Sequence, residues 1–234
     1  MKMKSSTLPV FCLFLCANAA LAQQLMVEER IVKNEESIEL NSWTARLDQD
    51  MNYCMGTYED FIKEFFKAKV DKRGKSILVA EKTLIPELSK FRLDQRAIFT
   101  VETGGTAISF TFSPGYDLHF GHELYSDEFK KAEVFVKNFV RYHYKAFYNE
   151  KIKSIQDKIK SKQNDIESNG KKTDRNNKSI AEGDADKAKV KNDKLLRENE
   201  AYTADSASKR KEISDLEADL AQANESLRKV EDFK

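Results

Sequence analysis

Cysteine is nearly absent from this chain of 234 residues: there are three, and only Cys54 lies beyond the first sixteen positions. A mature chain with one cysteine forms no internal disulfide, so its apolar core must hold it alone. Proline occurs three times, never after Pro114, which leaves the second half free to form uninterrupted helix. Charge of one sign is missing too. Forty Lys and Arg face 39 Asp and Glu, a formal net of +1, so no overall field draws the chain to nucleic acid or an anionic membrane. Outside the N-terminal segment no apolar run approaches the ~18 residues of a spanning helix, and a soluble mature chain is expected.

The first 22 residues read as an export signal. Lys2 and Lys4 make a basic start, residues 8–22 form an apolar run short for a bilayer, and Ala20-Leu21-Ala22 supplies the small-x-small cleavage pattern. Lipidation requires a small residue before its cysteine, but Phe11 precedes Cys12 and Leu15 precedes Cys16. Gln23 is therefore expected to open a mature chain exported to the periplasm or beyond, with no stable membrane insertion after cleavage.

Residues 23–148 read as an α/β domain that includes the start of a long helix. Strands are expected at 25–33 and 37–40. A helix follows from near Thr57, with Glu59 and Asp60 in its first turn and Tyr58, Phe61, Ile62, Phe65 and Phe66 on its apolar side. Gly74 ends it, after a run of Lys67, Lys69, Lys72 and Arg73 that suits a helix C-terminus. Residues 76–85 form a strand stopped by Pro86. Strands 96–103 and 106–112 flank Gly104-Gly105, a pair suited to a two-residue hairpin turn. That turn sets Val101 opposite Ile108, Phe99 opposite Phe110 and Ala97 opposite Phe112, all on one dry face. Thr100, Glu102, Ser109 and Thr111 share the other, wet face. Helices then cover one face only. The covering helix starts at Ser126, with Asp127 and Glu128 in its first turn. Its stripe is Phe129, Ala132, Val136, Phe139, Val140, His143 and Phe147.

Residues 149–234 carry a heptad seam. Ile152, Ile155, Ile159, Lys162, Ile166, Asn169, Thr173, Asn176 and Ile180 step by three and four. Ile213, Leu216, Leu220, Ala223, Leu227 and Val230 do the same, and counting back in sevens adds Lys209, Tyr202, Leu195 and Ala188. The two registers meet near Gly183, which predicts a reversal at 182–186, or nearer Asn169-Gly170 because the outer seam is polar. Residues 151–180 hold nine Lys and Arg against four Asp and Glu, while residues 200–234 hold six against nine. Opposite arms favour antiparallel pairing within one chain. The expected fold class is α+β: a small antiparallel sheet covered on one face by helices, then a long antiparallel coiled-coil α-hairpin projecting about 50 Å.

Reactive chemistry is sparse. Asp117, His119, His122 and Glu123 are metal-ligating types. On a strand, however, His119 and His122 face opposite ways, and a metal site needs three or four converging ligands. His143 falls in the helix stripe and reads as a core-edge histidine. Cys54, on an apolar face with Met51, Tyr58 and Ile62, reads as a buried thiol. No G-x-S-x-G or H-E-x-x-H occurs, and no helix follows Gly104-Gly105 to make a phosphate loop. No cofactor is implied, and an enzyme is not expected.

Ala20-Leu21-Ala22-Gln23, Phe65-Phe66-Lys67-Ala68-Lys69-Val70, Ile108-Ser109-Phe110-Thr111-Phe112 and Phe129-Lys130-Lys131-Ala132-Glu133 occur in that order. In them the chain resembles a group of uncharacterised exported bacterial proteins of Bacteroidota type, with a signal, a small α/β domain and a C-terminal coiled coil. In architecture it is also similar to periplasmic chaperones of the Skp/OmpH type, though with a larger N-terminal domain and no strong cationic excess in its arms. The expectation is a non-enzymatic interaction protein that meets a protein partner, or itself, through the coiled coil. The alternative is a periplasmic holdase for envelope proteins.

Overall fold

The computed structural model describes residues 26–34, 37–182 and 189–232. The predicted signal at 1–22 lies outside them. The fold is α+β: an antiparallel sheet with helices, and a pair of long helices. By packing, the described residues divide into one unit up to residue 146 with 230–232 and a second within 147–229.

In the first unit the strands are β1 (Val27–Lys33), β2 (Glu39–Leu47), β3 (Asp71–Arg73), β4 (Ile77–Leu84), β5 (Arg92–Glu102) and β6 (Gly105–Ser113), in the order β1-β2-β6-β5-β4-β3. Every pairing is antiparallel. Helix α1 (Met51–Phe66) and the start of helix α2 (Ser126–Ala181) pack on one face. There Tyr58 meets Phe99, Phe110 and Phe139, and Phe135 meets Phe110 and Phe112. Trp43 stacks on Phe129 and donates its indole N–H to the Phe129 carbonyl at 2.7 Å. That bond fastens the first turns of α2 to the sheet.

Several sequence expectations are corrected. β2 runs to Leu47 rather than stopping at residue 40, because Trp43, Ala45 and Leu47 alternate onto the helix-covered face, opposite Phe110, Ile108 and Thr106. α1 begins at Met51, not near Thr57: Asp50 is the N-cap and accepts from the amides of Asn52 and Tyr53. The basic run does not end that helix. Lys67 is its left-handed C-cap, while Lys72 and Arg73 belong to β3. The hairpin turn is also one residue earlier than expected. Glu102 pairs with Gly105, which sets Val101 opposite Thr106, Phe99 opposite Ile108 and Ala97 opposite Phe110. Gly105 is needed in the strand, not the turn, because a Cβ there would run into the Leu47 carbonyl. A shift of two in pairing keeps every side chain on its expected face, but Val101, expected on the dry face, is 71% exposed.

The second face of the sheet is not wet at its centre. Ser42, Thr44, Ser109 and Thr111 are buried, and Thr44 bonds Ser109 at 2.7 Å. Long side chains lie across them: Arg30 of β1 bridges Glu28 and reaches Glu102 of β5 at 2.9 Å, and Arg46 joins the same two carboxylates. Small polar residues fit under such a cover, where larger ones would lift it.

The second unit is an antiparallel pair of helices: α2 beyond residue 146 and α3 (Lys189–Glu231). Lys162 pairs with Glu212 at 2.6 Å, Asn169 with Asp205 at 2.7 Å and Asn176 with Asn199 at 3.0 Å. Partner numbers fall as the first numbers rise, so the helices run in opposite directions. Residues 169 and 170 lie inside α2, which removes a reversal there. The reversal expected at 182–186 falls almost wholly on residues outside those described.

Candidate functional site

The seam of the helical pair is the longest ordered arrangement of side chains that the sequence singled out. Ile155 is buried, and Ile152, Ile159, Ile166 and Ile180 are half-buried, among exposed neighbours. On α3, Leu195, Tyr202, Ile213, Leu216, Leu220 and Leu227 are half-buried, and Ala223 and Val230 are buried. The expected seam residues are thus the less exposed positions along the two helices.

Two seam positions were missed. Asn199 and Ser206 are buried, and continuing the sevens back from Ile213 reaches both. A search for apolar residues passes over them. Asn169 donates to Asp205 at 2.7 Å and to Ser206 at 3.3 Å, while Asn199 donates to Asn177 at 2.8 Å. Lys209 adds an ion pair with Asp205 at 2.5 Å, and that lysine with Asn169 holds the Asp205 carboxyl below its usual range. Lys172 lies over the Tyr202 ring at 5.2 Å. In a paired-helix seam, buried amides favour the one alignment in which they find partners, and they cost stability compared with leucine.

In the first unit, the groups that most resemble catalytic ones are sealed. His143 is fully buried between two polar partners, Thr57 Oγ1 and Gln49 Oε1, each at 2.7 Å. The tautomer that fits has Nε2–H donating to Gln49 and leaves Nδ1 to accept from the Thr57 hydroxyl. Burial lowers its pKa to about 3, so the ring is neutral. Cys54 is fully buried one turn before Thr57, and burial pushes its thiol up to about 12. A thiol so protonated is a poor nucleophile.

His119 and His122 diverge. His119 lies with Thr111, Asp94 and Asp117 on the polar face of the sheet. His122 bonds Glu29 at 2.6 Å and packs edge-on to Phe129, on the helix side. Among the described residues, no group of three or more His, Cys, Asp or Glu is placed to hold a metal ion. Among them, too, no helix is long and apolar enough to cross a membrane.

The arrangement comprises an α+β unit with an aromatic core around a buried histidine and a helical pair whose seam holds buried polar side chains. Comparison with family models, curated proteins and solved structures finds no match to this chain.

Proposed function

We propose that this protein is an exported, non-enzymatic interaction protein whose helical pair meets a protein partner along its outward surface. The observation that carries the reading is the seam itself. Its buried amides are bonded across the pair, at Asn169 with Asp205 and at Asn176 with Asn199. A long pair held in one register presents fixed rows of outward side chains, which suits recognition. Those rows are charged and exposed along both helices, so contact would be polar and salt-sensitive. The sealed state of His143 and Cys54 supports a binding role over catalysis.

Site-specific photo-crosslinking in native cells tests this. A crosslinker at exposed Gln156 or Glu217 should give one discrete adduct, and one on the sheet edge at Ile31 none. Equal or absent adducts at all three would overturn the reading. Export has its own readout: the mature protein should begin at Gln23 by mass spectrometry.

A further inference from the structure

Between α1 and α2 in the first unit runs an uncovered groove of about 550 Å³, floored by Phe61, Phe66, Phe135 and Tyr142. In the floor Phe61 packs edge-on against Phe135 with centroids 5.5 Å apart. Large apolar side chains remain in solvent at its edges: Phe65 on α1 and Val134 on α2 are each 57% exposed. A contiguous apolar patch beside a recess marks a contact surface.

Charges of both signs lie around the groove. α2 contributes Lys131, Arg141 and Lys145 and no carboxylate, although Lys145 also reaches Glu231 at 3.4 Å. Glu87, in the turn after β4, is the carboxylate of the lining. Glu64 of α1 accepts a hydrogen bond from the Tyr142 hydroxyl at 3.1 Å. Burial first, then the bond to Glu64 and the charge of Asp60, push the Tyr142 phenol up to about 12.

We propose that this groove is the contact face of a symmetric dimer, occupied by the same groove of a second copy. An isologous interface must be complementary to itself. A twofold axis along the groove lays Glu64 and Glu87 of each copy over the basic side chains that α2 of the other contributes. Opposite charges then meet twice, and Phe65 and Val134 of each copy are buried on the partner's floor. An amphipathic occupant of a single charge sign would satisfy one set of charges and oppose the other. The face lies wholly in the first unit, so the inference stands apart from the proposed role of the helical pair.

Sedimentation velocity on the full chain from Gln23 onward is the test. The wild type should form dimers as concentration rises. Phe65→Glu should weaken dimerisation at least tenfold with an unchanged far-ultraviolet circular dichroism spectrum, because the ring is exposed in the monomer. Arg141→Glu with Lys145→Glu should be monomeric alone, and so should Glu64→Lys with Glu87→Lys. Mixed in equal amounts, these two double variants should recover a heterodimer, since both charge pairings become opposite again. A wild type that stays monomeric, a dimer indifferent to Phe65→Glu, or a mixture that does not associate would each overturn the proposal. A monomer that instead binds palmitate or a one-signed helical peptide in this groove would also overturn it and name another occupant.

Discussion

The α+β unit and the helical pair solve the same problem with different materials. In the first, Tyr58, Phe110, Phe112, Phe139 and Ile62 have essentially no exposure and pack ring against ring. In the second, the seam is one side chain deep, and most of its isoleucines and leucines stay half-exposed. Three of its buried residues are Asn169, Asn199 and Ser206. A broad aromatic core is specified by volume, and a thin seam by which polar groups find each other. Stability is concentrated in the first, alignment in the second.

The contrast can be broken at its strong end. Phe110→Ala should cost about 3–5 kcal/mol, because it opens a cavity under two helices. Ile166→Ala in the seam should cost only about 1–2 kcal/mol, since part of that side chain is already in water. Urea unfolding of both variants measures the difference, and equal losses would abolish the distinction.

A second lever is pH. His143 is held neutral in the fold with its pKa lowered to about 3, whereas an unfolded chain titrates it near ~6.5. Between those values the unfolded chain binds a proton that the folded chain does not. Stability is therefore fully present above about pH 6.5 and is lost on acidification, by up to about 1.4 kcal/mol per pH unit. His143→Gln should flatten that slope when unfolding is followed at about pH 7, 6 and 5.

In the seam the sign reverses. Asn169→Leu should raise the melting temperature of the helical pair by an amount equivalent to about 1 kcal/mol while loosening its alignment. Spin-label distances between the two helices should then broaden; sharp distances would show that the amide does not set register. The smallest effect belongs to the ion pair of Lys162 with Glu212. Exchanging the two residues should change stability by less than about 1 kcal/mol, and salt should erase the change.

Periodicity made both parts legible where one physical pattern dominated. Period two in residues 106–112 and three-four steps from Ile152 to Ile180 placed side chains on the faces they occupy. What escaped were features decided by neighbours far along the chain. The strand through Trp43 and Leu47 is recognisable only beside β6, and Gly105 is read as a turn until the Leu47 carbonyl is seen against it. The burial of Ser42 and Thr44 depends on Arg30 reaching over from an edge strand. Local capping competed too: Thr57 looked like a helix start, but it lies inside the helix, where its hydroxyl bonds His143. At the seam, Asn199 and Ser206 sat on the heptad with the wrong polarity for an apolar search.

The single tryptophan of the sequence is Trp43, ring-stacked on Phe129 and bonded to its carbonyl. Its emission is therefore a private optical channel for the α+β unit. The helical pair has no indole and would be followed by its amide absorption instead. Two wavelengths can thus time the loss of each unit in one sample without any label.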